Sequence, residues 1–200
     1  MSLDTKNSLT TLADAKVWLA EKAETTTYDA IITDFINSVS AQFNKLTHRL
    51  LKDRVITGYY DGNGSMEFMT PQYPINLITS IHIDTDRAYE DDTLIDSDTY
   101  VFYEDGLIKS DDNSFSAEPQ AVKIIYNAGY GYDGAAIPAD ILIAAKDQIK
   151  WLFRRWRKNQ EGIEAVTTTN GTTTQTEAGE ILTTSFEIMK RYVKKDHRSR

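Results

Sequence analysis

Residues 137–158, IPADILIAAKDQIKWLFRRWRK, constrain the fold more than any other stretch, because they declare a helix, its two faces and its start together. Pro138 suits a first helical position, and Asp140 suits the positive end of the helix dipole. At about 100° per residue, Leu142, Ala145, Ile149, Leu152, Phe153 and Trp156 share one arc, wide enough to face a core. The other side places Ile143, Asp147 and Trp151 at i, i+4 and i+8 among Lys150, Arg154, Arg155 and Lys158. A tryptophan on a charged face either rests on the stems of its neighbours or meets a second protein surface, where aromatic and Arg residues concentrate. On the second reading Ile143, Asp147, Trp151, Arg154 and Arg155 form a subunit interface, opposite the face that packs on its own domain.

Two hundred residues make one domain the default and leave enough chain to bury a core. Apolar content of 40% and charged content of 26% are globular values, which argue against both disorder and membrane residence. The start, MSLDTKNSLTT, lacks the basic and apolar regions of a signal peptide, so an intracellular product is expected. Zero cysteines exclude disulfides, thiolate metal sites and cysteine nucleophiles, leaving His48, His82 and His197 for imidazole chemistry. The net charge of −8 is uneven: residues 1–137 carry 10 basic and 22 acidic side chains, residues 138–200 carry 12 and 8. That polarity is either a solvated charge distribution or a means of orienting head-to-tail packing. An acidic chain is poorly suited to tight nucleic-acid binding, which draws on phosphate neutralisation.

In chain order, Thr11 with Asp14 fits capping-box spacing, and Leu12, Ala15 and Leu19 predict a short helix over 11–22. After Glu24-Thr25-Thr26, the stripe Tyr28, Ile32, Phe35, Val39, Phe43, Leu46 and Leu50 predicts a long helix over 27–50. His48 near its end reads as a helix-terminus residue. Short runs of Val, Ile, Tyr and Phe punctuated by turn residues then predict strands at 54–60, 65–70, 77–84, 99–104, 107–110 and 121–126. Asp61-Gly62-Asn63-Gly64 and Asp105-Gly106 read as hairpin turns, and Pro71 and Pro74 punctuate two strands. The fold class is therefore α+β: mainly a bundle of three to four helices with an antiparallel β region, 54–128, inserted between the second and third long helices.

Two motifs suggest chemistry and are set aside. Asp84-Thr-Asp86 opens a stretch with eleven carboxylates up to Asp112, resembling a calcium loop, but positions six and twelve are Tyr89 and Ile95 rather than Gly and Glu. Gly129-Tyr-Gly131-Tyr-Asp-Gly134 matches a dinucleotide string, yet Pro138 starts the helix four residues after the last glycine. It reads better as a link from sheet to helix. Residues 159–179 are polar and threonine-rich, which predicts a flexible arm. Leu182, Phe186, Met189 and Val193 then mark a last helix with a basic tail, 180–200. That helix either folds back on its own domain or is delivered to a neighbour; on the second reading Gly179 to Arg200 can be deleted without loss of fold.

The run YYDGNGSMEFMTPQYPINLITSIHI, then VKIIYNAGY, then IPADILIAAKDQIKWLF resembles the head–tail connector (head completion, adaptor) proteins of tailed bacteriophages and prophages. The pattern falls here on Asp61-Gly62, the apolar 66–69, Pro74-Ile75, Tyr126 to Tyr130, and Pro138 to Asp140, covering roughly residues 8–158 and weakly FEIMKRYVKK. The threonine run at 167–176 and the acidic stretch depart from it. The resemblance implies a connector domain over 1–158 without catalysis, cofactor or metal. It implies a ring, usually dodecameric, at the head–tail junction of a virion assembled in host cytoplasm. The ring would contact the portal protein and a tail-proximal protein, with DNA passing through unread and no membrane involved. The last helix would then dock on the portal through Phe186, Met189, Tyr192, Val193, Lys194 and Lys195. The competing function is a calcium- or carbohydrate-binding accessory module built on the acidic, Tyr-rich β region.

Overall fold

The structure is a computed structural model of the chain that describes residues 2–160 and 181–194. It contains four α-helices and two antiparallel three-stranded sheets, a mixed α+β fold. The chain divides into two compact units: residues 1–48 with 138–193, which are helical, and residues 49–137, which hold both sheets. The expected connector domain over 1–158 takes in parts of both units, and the β insertion closes a core of its own.

In the helical unit, α1 is Leu12–Leu19, α2 Asp29–Thr47, α3 Ala139–Gln160 and α4 Thr183–Lys190. Thr11 caps α1 by accepting from the Asp14 amide at 3.1 Å, as its spacing predicts. α1 ends at Ala20 and α2 at His48, both left-handed, so the helices stop short of the expected ends at 22 and 50. Lys16 is buried rather than solvated: its Nζ donates to the Ala23 and Thr25 carbonyls at 2.9 and 2.6 Å and pairs with Asp29 at 2.8 Å. It thereby fixes the turn between α1 and α2. Tyr28, just before α2, meets Phe153 and Trp156 near the far end of α3, with ring centroids 5.5 and 6.0 Å apart. α2 and α3 therefore run antiparallel.

The face of α2 centres on Ile32, Ile36, Val39 and Phe43, all fully buried, with Phe35 at its margin. Ser40 and Thr47 share that face because their hydroxyls donate to carbonyls one turn back, Ile36 and Phe43, each at 2.8 Å. Ser40 Oγ also accepts from the Leu9 amide at 3.1 Å, which seats the N-terminal segment and buries Leu9. No apolar periodicity in residues 1–10 announced this.

In the sheet unit, β1 is Arg54–Tyr60, β2 Glu67–Met69, β3 Ile75–Ile83, β4 Tyr100–Phe102, β5 Leu107–Ser110 and β6 Val122–Ala128. One sheet runs β1-β6-β3, the other β2-β5-β4, all antiparallel. A shared core of Phe68, Ile78, Ile81, Ile108, Phe115 and Ile124 joins them. Asp105-Gly106 is the β4–β5 hairpin turn, with Gly106 at φ +100° and the Tyr103 amide donating to Leu107 at 2.8 Å. Asp61 to Gly64 is not a hairpin: β1 pairs with β6, not β2, and the segment crosses beneath 115–116. A Cβ on Gly62 would lie 2.1 Å from the Ser116 carbonyl oxygen, so the glycine serves close backbone approach.

The first glycine of the string at 129–134 has the same explanation. The Gly129 amide donates to Pro74 O at 2.9 Å, the Tyr130 amide to Leu51 O at 2.8 Å, and the Asp53 amide to Tyr130 O at 2.9 Å. With φ +114° at Gly129 and Lys52 backbone only 2.7 Å from a notional Cβ, a side chain there has no place. Arg49, buried in the same unit, holds the Tyr73 carbonyl and stacks 3.7 Å over the Tyr73 ring, beside a cis Tyr73–Pro74 peptide.

Candidate functional site

The two-faced character of α3 survives in three dimensions, with its boundary shifted. Ile141, Ala144, Ala145, Gln148, Ile149 and Phe153 are buried, while Leu142 is only partly so. The shift comes from α4, which covers the side of Ala144 and Gln148. Ser185 Oγ donates to Ala144 O at 3.1 Å, and Gln148 Oε1 accepts from the Leu182 amide at 2.8 Å. A sequence stripe centred on Leu, Phe and Trp could not show that a glutamine faces the core as a partner for an incoming helix start.

On the outer face, Ile143 is 46% exposed, Arg154 and Arg155 are exposed, and Trp151 is half-buried. The Arg155 guanidinium lies 5.3 Å from the Trp151 ring centre. Asp147 does not point to solvent as an independent charge: it accepts from Trp18 Nε1 at 3.1 Å. Lys146 and Lys150 then stand on Trp18, each ammonium 5.9 Å from the ring centre. α1 thus contributes Trp18, and beside it Val17, 78% exposed, to the same surface. Neither residue was singled out from the sequence. The available signal was the one that drew attention to Trp151, an aromatic side chain off the stripe of its own helix.

The second predicted group is arranged differently. α4 packs on α3 and α2 of its own unit. Met189 is fully buried, and Tyr192 donates through its hydroxyl to Asp140 Oδ1 at 2.7 Å. Met189 is therefore core, and the helix is not held apart for a neighbour, because Met189 and the small Ser185 let it settle against α3. Phe186 and Val193 are half-buried, Lys194 is exposed, and Lys190 sits 4.6 Å from the Phe186 ring centre. Of the arm expected at 159–179, residues 159 and 160 continue α3, whose backbone turn carries on past Lys158, and the rest, with Lys195, His197 and the tail beyond Lys194, lies outside the described residues.

The acidic stretch organises a loop. Asp84 accepts from the amides of Tyr89, Asp86 and Ala88 at 2.7 to 2.8 Å, and these donors, that of Tyr89 foremost, hold its carboxyl below the ordinary range. Further along, an open depression of about 450 Å³ is lined by Asp92, Thr93, Asp96, Thr99, Asp112 and Asn113, among others. Its lining contains no aromatic ring on which a sugar could stack. Among the described residues no group of three or more His, Asp or Glu is placed to hold a metal, and none of their helices is long and apolar enough to cross a membrane. His48 is the left-handed cap of α2, and His82 Nδ1 lies 3.2 Å from Thr93 Oγ1.

Comparison with solved structures finds the same fold in chains of gene transfer agent particles. A chain from the neck of an empty gene transfer agent (GTA) particle, computed with C6 symmetry, matches with a TM-score of 0.62 and 12% identity, over 96% of this chain and 93% of that one. A chain from the virion of the native GTA particle matches at 0.63 and 13%, over 100% and 96%. A third, from the native neck computed with C12 symmetry, matches at 0.59 and 14%, over 100% and 99%. No curated protein matches the sequence. The profile of the family described as head completion protein matches residues 8–190, across both compact units. That span leaves no separate part of the described fold outside the match, and the chain belongs to the head completion protein family.

Proposed function

We propose that this chain is a structural, non-enzymatic subunit of the head–tail junction of a tailed phage or phage-like particle. Copies of it close into a ring that docks on the portal protein, receives a tail-proximal protein and extends the DNA channel without reading sequence. The observation that carries this reading is the family match through residues 8–190. The necks holding the similar chains were computed with C6 and C12 symmetry, which supports a ring and agrees with twelve subunits. The helices act as one bundle whose outer face, with Ile143, Trp151, Arg154 and Arg155, is the subunit interface. Asp147 supports it from beneath by orienting Trp18. Phe186, Val193 and Lys194 remain as the portal-facing group, with Met189 and Tyr192 holding their helix in place.

The test is genetic. Deleting the reading frame from a phage or prophage that encodes it is expected to leave DNA-filled heads without tails by negative-stain microscopy, with tails restored by supplying the chain in trans. Tailed particles at the parental frequency in the deletion strain would sink the proposal.

A further inference from the structure

The sheet unit leaves an apolar hairpin with an acidic tip uncovered. Val101 and Tyr103 are 51% and 48% exposed, and Phe102, on the face of β4 that should turn inward, is still 39% exposed. An antiparallel sheet that shows one face to water ordinarily places polar side chains there. The edge strand β4 does the reverse at Val101 and Phe102, as does Tyr103 just beyond it, while Tyr100 packs on the core. At the tip, Glu104 and Asp105 are both exposed. Residues 49–137 together carry six basic and sixteen acidic side chains.

The surface around Trp18 has the opposite character. Val17, Trp18 and Ile143 are exposed apolar groups, and Lys146 and Lys150 flank the indole. Residues 139–158 carry six basic side chains and two acidic ones, and one of the two, Asp147, is held by Trp18. A closed ring of identical chains needs two different patches per subunit, each complementary to the other. From the charge and apolar complementarity of these two, we propose that the β4–β5 hairpin of one copy docks on the Trp18 surface of the next. Val101, Phe102 and Tyr103 meet Val17, Trp18 and Ile143, and the carboxylates of Glu104 and Asp105 meet Lys146 and Lys150. The inference rests on the ring reading above and names its second patch.

The chain contains no cysteine, so introduced thiols are unique. Particles are prepared in which the full chain carries Asp105→Cys together with Lys150→Cys, and are treated with a flexible bismaleimide. Each subunit then offers one thiol to each neighbour, and a ladder running beyond the dimer is expected on denaturing electrophoresis. Chains with either substitution alone remain monomers. Tailed particles that yield no ladder, or that yield cross-links to a different particle protein, overturn the docking while leaving the junction role standing. Tailed particles in the deletion strain overturn both. As an independent measurement, Glu104→Lys with Asp105→Lys, or Lys146→Glu with Lys150→Glu, is expected to lower tailed-particle yield about tenfold or more, since facing like charges cost several kcal/mol. Joining the two reversals restores the yield. If both reversals leave the yield unchanged, or if their combination is no better than either alone, the pairing is wrong.

Discussion

Two residues carry more of the sheet unit than their size suggests. At Gly129, φ +114° and the 2.7 Å approach of the Lys52 carbonyl leave no room for a Cβ. Gly129→Ala is expected to cost roughly 1–3 kcal/mol from the backbone conformation alone, with the clash added. A urea midpoint equal to the parent would show that the segment 51–53, just before β1, can retreat. Asp84 works through charge. Because the Tyr89, Asp86 and Ala88 amides lower its folded pKa, the stabilisation is fully present above the unfolded value of about 4 and is lost as pH falls through the lower folded value. The stability gap between parent and Asp84→Asn, followed by urea titration, should therefore be constant near neutrality and close below about pH 4. A gap that stays open in acid would mean that geometry rather than charge sets the role of Asp84. Both residues belong to motifs that looked like ligand loops in the sequence. The string shows which positions are glycine or acid, but not that Gly129 is spent on neighbouring backbone and Asp84 on its own loop.

Elements were legible where a helical stripe or an apolar run between turn residues decides them. β1 and β5 lie where those runs put them, and the remaining strands and all four helices differ from expectation mainly at their ends. Partnership was less legible, because it depends on contacts distant in sequence. The Asp61 to Gly64 turn chemistry implied a β1–β2 hairpin, whereas β1 spends its hydrogen bonds on β6. The last helix shows the same limit, since its stripe could face its own unit or a neighbour. The structure gives it Gln148, Ala144 and Asp140 as partners and buries Met189. Deleting Gly179 to Arg200 is accordingly expected to lower the melting temperature of the helical unit, against the expectation that the segment is dispensable. Met189→Ala alone should cost about 2–5 kcal/mol. An unchanged melting temperature after truncation would return α4 to the role of a delivered arm. For α3 the outer face makes a different demand: Trp151→Ala with Arg155→Glu should impair ring formation while circular dichroism of the monomer is unaltered. Normal rings by electron microscopy would remove this face from the interface.

At the scale of the molecule, the insertion is a compact unit with its own hydrophobic core. Its core of Phe68, Ile108, Phe115 and Ile124 is drawn from both sheets, and that of the other unit from α1 to α4. All three tryptophans, Trp18, Trp151 and Trp156, fall in the helical unit, whereas the sheet unit is rich in tyrosine. The chain thus carries a separate optical reporter for each unit. Ile124 is fully buried on the central strand β6, so Ile124→Ala should remove roughly 2–5 kcal/mol from the sheet unit, by lost transfer energy and the cavity left behind. If the two cores are energetically separate, tyrosine near-ultraviolet dichroism will show its urea transition moved to lower concentration while the tryptophan fluorescence transition keeps its midpoint. If both signals shift together, the units unfold as one cooperative body. In that case a ring contact made by the sheet hairpin would be felt directly by the helices. With separate transitions, docking by the hairpin can be altered without loosening the helical face that receives it, which is the condition under which the charge-reversal pair reports contact rather than stability.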